Sequence, residues 1–197
     1  MRKGDVPVWI LTALLIGLAG NLDNLGVGVA YGARRIGIPF LSNLLIAVVA
    51  TVGTGFLAYA GASLKHLLSP AVAGAVSAAC IIAVGFWVLW PRRVVEEPIE
   101  LVLHPEEADV DHSGDISLSE ALALSIGLGV NAWAGGFSGG LVGVPAWAIA
   151  LAGGGFSIAT LWAGERVGKH TLGHWLGARA NVVAGVLLIL VGVKNVV

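Results

Sequence analysis

An aspartate inside an apolar run is the residue that most needs a chemical reason in this chain. Asp23 lies between Asn21 and Asn24 in IGLAGNLDNLGVG at 16–28, with no Lys or Arg within about two helical turns on either side. A charged carboxylate at mid-membrane depth costs at least ~2.5–3.5 kcal/mol, so such groups usually face a cavity and mark an ion or substrate path. At ~100° per residue, Ile16, Ala19, Gly20, Asp23, Gly26 and Val27 share one helical face, and Gly17, Gly20, Asn21, Asn24 and Gly28 share the adjoining one. Small residues therefore surround the acid and leave room for a close neighbour helix and a desolvated ion.

The pattern recurs. SIGLGVNAWAGG at 125–136 resembles 16–28, matching Asp23 to Asn131 108 positions later; Gly-Ile-Pro ending at Pro39 matches Gly-Val-Pro ending at Pro145, and AVG ending at Gly85 matches LVG ending at Gly192. A true repeat would bring Asn131 opposite Asp23, giving a midplane site of carboxylate and amide oxygens. Hard oxygen donors suit Mn²⁺, Mg²⁺ or Ca²⁺. The transport shell expected from the residues is Asp23, Asn131, Asn21 and Asn24, completed by Thr51 and Thr160 from the second and fifth spans. Asn43, Thr54 and Ser157 are read instead as hydrogen-bonding glue between helices.

A second constellation is soluble in character. DVDHSGDISLSE at 109–120 fits the twelve-residue calcium loop: Asp109, Asp111 and Ser113 at the first ligand positions, then Gly114 at the sharp turn. Asp115 would give its backbone carbonyl, Ile116 the inward apolar contact, Ser117 a water-mediated ligand and Glu120 a bidentate carboxylate. Pro105-Glu106-Glu107-Ala108 has room for only a short entering turn, with Pro at its first helical position. Without an ion, the same residues would read as a solvated acidic loop with a serine capping the next helix.

The elements that must position these groups follow from composition. The 197 residues are 57% hydrophobic and 12% charged, and the mean hydropathy of +0.89 is too high for a water-soluble surface. Six apolar runs at 8–30, 38–61, 71–90, 119–140, 145–164 and 180–197 are long enough, or nearly so, to span ~30 Å of hydrocarbon. The expected fold is an all-α membrane protein of six transmembrane helices in two three-helix repeats, 1–90 and 119–197, joined by a polar linker at 91–118. The first run is expected to be a retained helix and not a cleaved signal peptide. Three spans per repeat is an odd number, so the copies must enter the membrane from opposite sides, as inverted repeats. Most of the 29 glycines fall in the spans, which suits close backbone packing.

Loops after the first, third and fifth spans carry Arg34, Arg35, Arg92, Arg93, Arg166, Lys169 and Arg179, against Arg2, Lys3, Lys65 and Lys194 on the other side. Positive-inside bias then places the odd loops in the cytoplasm and both termini outside. A net charge of −1 offers no basic field for nucleic acid. The single Cys80 excludes a disulfide framework and a paired-thiol redox relay.

At NLDNLGVGVAYG, ADVDHSGDISLSEAL and GVNAWAGG the chain resembles the YtaF branch of the MntP-like manganese exporters, in the LysE transporter superfamily. The resemblance covers nearly the whole chain and implies export of Mn²⁺ or a related divalent cation across a bacterial inner membrane, by a transporter and not an enzyme. It also implies an intramembrane Asp in each half, which maps here onto Asp23 and, as a departure, onto Asn131. The acid found in the second helix of some relatives has no counterpart in AVVATVGTGF. The expectation is alternating access around Asp23 and Asn131 with a Ca²⁺-binding regulatory loop, in the lipid bilayer and open to homo-oligomerisation. The alternatives are a non-transporting, calcium-responsive sporulation membrane protein and an amino-acid exporter of the LysE type.

Overall fold

A computed structural model describes residues 7–89 and 105–170. The helices are α1 (Val8–Ala19), α2 (Leu22–Ala33), α3 (Phe40–Lys65), α4 (Pro70–Leu89), α5 (Pro105–Ala108), α6 (Leu118–Val142) and α7 (Ala146–Gly168). Among the described residues four stretches are long and apolar enough to cross a membrane: Val8–Ala33, Phe40–Lys65, Leu118–Val142 and Ala146–Gly168. α4 covers the third expected run. The sixth, 180–197, lies outside the described residues, as do Arg2, Lys3, Arg92, Arg93, Arg179 and Lys194.

The outward faces explain why the bilayer is the solvent. Val48, Val52, Phe56 and Tyr59 on α3, and Leu122, Ile126 and Val130 on α6, are all exposed at helical spacing. In water such stripes would be an aggregation surface; against lipid they need no cover. Packing between helices must then come from close approach and not from expulsion of water. α2 runs along α7, and α3 along both α6 and α7, while α1 lies on α7 and α4 on α6.

Glycines set these contacts, and they do so in matched pairs. A Cβ at Gly28 would fall on the Leu161 carbonyl, and one at Gly136 on the Thr54 carbonyl. Gly32 meets the Glu165 carbonyl as Gly140 meets that of Ala58, and Gly168 meets Val29 as Gly61 meets Phe137. Each pair is related by the 107- or 108-residue spacing seen in the sequence.

The first span departs from the continuous helix expected over 8–30. It is broken at Gly20 and Asn21, where Asn21 takes φ −124° and ψ 9°. The Asn21 side-chain amide donates to the Gly17 carbonyl at 2.7 Å, and the Asn21 N–H turns to Leu18 at 3.1 Å. A side chain that captures the carbonyl one turn back competes with the helical ladder and lets the chain step.

The two ends of the bundle differ. At one, Trp9 and Trp147 stack edge to face with ring centroids 5.7 Å apart, and Lys65 lies over Gly143. At the other, the connector 34–38, the loop 109–117 and the end of α7 meet around the buried Tyr31, Ile36, Ile38 and Ile116.

Candidate functional site

The break in the first span places Asp23 in the first turn of α2, near the middle of the Val8–Ala33 stretch. One carboxylate oxygen, Oδ2, accepts a 2.6 Å hydrogen bond from the Asn131 amide of α6. The other, Oδ1, accepts the backbone N–H of Asn24 at 3.1 Å. A helix N-terminus carries partial positive charge, which favours an ionised acid there. The carboxylate thus sits where the backbone itself offsets part of the cost of its charge.

The flanking asparagines form a relay beneath it. Asn24 donates its amide to Asn21 Oδ1 and to Ser157 Oγ, each at 3.2 Å. Asn24 Oδ1 is buried and has no hydrogen-bond partner among the described residues. A buried amide oxygen without a donor costs free energy. Such an oxygen is a ready donor for a cation.

Sequence reasoning gave Ser157 to helix gluing, yet it lies in this cluster because α7 packs against α2; only that long-range packing reveals it. Thr51 and Thr160 turn their hydroxyls onto carbonyls of their own helices, Ala47 and Phe156, both at 2.7 Å. Asn43 donates to the Ile158 carbonyl at 3.2 Å, and Thr54 Oγ1 is buried with no partner among the described residues.

The acidic loop forms a compact unit at one end of the bundle. Asp109, Asp111 and Glu120 bring carboxylate oxygens within 4.8 Å of one another. Asp109 accepts the N–H groups of Ser113 and Gly114, each at 2.9 Å, and Gly114 takes φ +82°, a conformation that favours glycine. Glu120 accepts the N–H of Val110 and of Ser117, both at 2.8 Å, and closes a capping box with Ser117 at the start of α6. Hydrogen bonds from the Ser113 side chain and backbone hold the exposed Asp111 carboxyl below its usual range. Ser113 Oγ donates to the Asp115 carbonyl at 2.8 Å, and Ser117 Oγ to Glu120 Oε2 at 2.7 Å.

A contact not foreseen in the sequence joins this loop to the first half of the chain. Gly37 donates to the Gly114 carbonyl at 2.8 Å and accepts from the Ile116 N–H at 2.9 Å, an isolated parallel bridge with Asp115. Ser42 at the start of α3 donates to the Ile116 carbonyl at 2.6 Å. Glu165, placed by the sequence just beyond the fifth span, is buried within α7 and accepts the Ile38 N–H at 3.2 Å and the Lys169 ammonium at 2.8 Å.

An all-helical set of membrane-length helices, one of them interrupted at a half-buried acid, defines a multi-pass membrane protein with an intramembrane polar centre. Residues 99–196 match the family model Mntp, described as "Putative manganese efflux pump". Over 205 aligned residues, covering 93% of this chain and 97% of the relative, it is 26% identical to the "Probable sporulation protein YtaF" of Bacillus subtilis (strain 168). Both matches support a place for the chain in the MntP/YtaF family. No solved structure matches it.

Proposed function

We propose that this protein is a secondary transporter that exports a divalent cation, first among them Mn²⁺, by alternating access of two inverted three-helix repeats. The observation that carries the reading is the Asp23 carboxylate at a helix break, bonded to Asn131 and flanked by the unpartnered Asn24 Oδ1. Broken helices at the midplane are a recurring way for transporters to present polar groups to an ion. The matched glycine contacts support the inverted repeats, because spans one and five meet through the same positions as spans four and two. Asn21 and Ser157 hold Asn24, and so Asp23, in place. Thr51 and Thr160 would join the shell by releasing their own helical carbonyls.

We also propose that the loop 109–120 holds Ca²⁺ through Asp109, Asp111, Ser113, Glu120 and the Asp115 carbonyl, with Ser117 acting through water. The converging carboxylates and the left-handed Gly114 fit such an oxygen cage. The ion would neutralise three neighbouring acids and stiffen the joint between Gly37 and α6. Positive-inside bias, with Arg34, Arg35, Arg166 and Lys169 all at this end, supports a cytoplasmic loop and extracytoplasmic termini.

One observation favours a second reading, a membrane protein that responds to ions without moving them. The Asn131 amide already satisfies the Asp23 oxygen that a transported ion would use. Flux in proteoliposomes separates the two. Uptake of Mn²⁺ above that of empty liposomes, compared with Ca²⁺, Mg²⁺, Zn²⁺ and Co²⁺, is the expected result. Ion binding without flux would favour the second reading, and amino-acid counterflow would replace both with a LysE-type exporter.

A further inference from the structure

A cavity of about 440 Å³ opens between the start of α3 and the end of α7, apart from both the Asp23 cluster and the acidic loop. Phe40 and Trp162 form its walls and are 69% and 50% exposed, facing where hydrocarbon lies. Arg166 and Lys169 line its outer part. The Arg166 guanidinium stacks 4.2 Å over the Trp162 ring and has no carboxylate partner among the described residues. Glu165 is already engaged by Lys169 and the Ile38 N–H, so the cavity's outer part keeps a positive charge.

Two further groups point to what enters. α3 starts here behind Pro39 with no side-chain cap, so its first N–H groups favour an anion. Deeper in, Asn43 is 4% exposed and its Oδ1 has no partner among the described residues, while its Nδ2 is fixed on the Ile158 carbonyl. The cavity therefore offers cations and N–H groups outside, a lone acceptor inside, and apolar walls open to the bilayer. A divalent cation would meet Arg166 and Lys169 first, which argues against a metal vestibule.

We propose that this cavity seats the headgroup of an anionic phospholipid that bears a hydroxyl, of the phosphatidylglycerol type. The phosphate lies between Arg166 and the first turn of α3, a headgroup hydroxyl donates to Asn43 Oδ1, and the acyl chains run along Phe40 and Trp162. Basic clefts between helices at a membrane surface are suited to such headgroups. The lipid would hold the second span against the fifth at the end where the acidic loop docks.

Native mass spectrometry of the whole protein released from micelles tests this, with phosphatidylglycerol, phosphatidylcholine and phosphatidylethanol offered at equal concentration. Phosphatidylglycerol should be retained roughly fivefold over phosphatidylcholine, the effect of about one basic residue at a membrane surface. Arg166→Gln should remove that preference and Arg166→Lys should keep it. Asn43→Leu should lower phosphatidylglycerol retention to that of phosphatidylethanol, which is anionic but has no headgroup hydroxyl. If Asn43→Leu fails to fold, the exposed Arg166 variants still decide. Equal retention of phosphatidylglycerol and phosphatidylcholine, or a preference that survives Arg166→Gln, overturns the proposal. Displacement of the lipid by millimolar glycerol phosphate would assign the cavity to a soluble phosphate ester and overturn its lipid source.

Discussion

The first and fourth spans carry the same small-residue pattern, yet one breaks and the other runs through. At the break, Asn21 captures the Gly17 carbonyl and Asp23 opens a new helix. In α6 the matching positions are Gly129 and Asn131, in a helix continuous from Leu118 to Val142. Gly129 has no side chain with which to compete for the ladder, so α6 stays intact. The charge and the broken backbone thus coincide on one side of the Asp23–Asn131 contact, and the other side supplies a neutral amide on a rigid rod. Where each half of a relative carries its own acid, such a centre would be near-symmetric. Here it is polarised.

The largest expected effect tests what the two halves share. Gly32→Leu and Gly140→Leu each drive a side chain into a neighbouring helix's carbonyl, at Glu165 and Ala58. Each should cost roughly 3 kcal/mol or more by the usual scale of overpacking, read as loss of the folded band in a denaturant titration in mixed micelles. A harmless substitution at only one of the two positions would break the equivalence.

Changes at Asn131 sharpen the difference. Asn131→Ala leaves the Asp23 carboxylate without its amide donor and should cost about 2 kcal/mol, the range for hydrogen bonds to charged groups. Asn131→Asp should instead tighten Mn²⁺ binding measured by calorimetry, because a second carboxylate restores charge at the contact. Unchanged affinity would mean that the two positions do not share an ion.

A smaller effect is expected at the break. Asn21→Ala removes two buried hydrogen bonds, the one it gives to Gly17 and the one it accepts from Asn24, about 1 kcal/mol each, and the helix recovers part of that as it closes. Hydrogen exchange over residues 19–22 should slow. Exchange that stays fast would place the cause of the break in Gly20 alone.

The loop gives the mildest changes in stability. Glu120→Ala should weaken Ca²⁺ binding by more than about tenfold, and more than Ser113→Ala or Ser117→Ala, since it removes two oxygens and a charge. Asp111 is held below the ordinary carboxylate range, so its ionised form persists down to lower pH than a free carboxyl. Its contribution is present above that ordinary range and is lost as the pH falls through the lowered value. Calcium affinity measured from neutral pH downward should follow that direction.

Asp23, its match to Asn131 and the acidic loop were legible in the sequence because each is a local violation of an apolar pattern or fits a fixed template. The break at Gly20 and Asn21 was not, since hydropathy does not register an amide that captures a carbonyl one turn back. Ser157 and Glu165 were passed over for a related reason. A serine in a span resembles packing glue, and Glu165 looks like a loop residue until α7 is seen to run to Gly168. The bridge between Gly37 and Asp115 joins segments far apart in the chain, and only the closeness of α2, α3 and α6 brings them together. Glycine spacing was visible, but the carbonyl each glycine meets was not.

The Asp23 carboxylate at the break is the group proposed to carry the transported ion. Mn²⁺ flux into proteoliposomes loaded with wild type, Asp23→Asn and the exchanged pair Asp23→Asn with Asn131→Asp tests it most directly. Asp23→Asn should fold and lose flux to the level of empty liposomes. The exchanged pair should recover only part of it, because its acid lies on the continuous helix. Wild-type flux from Asp23→Asn would contradict the account.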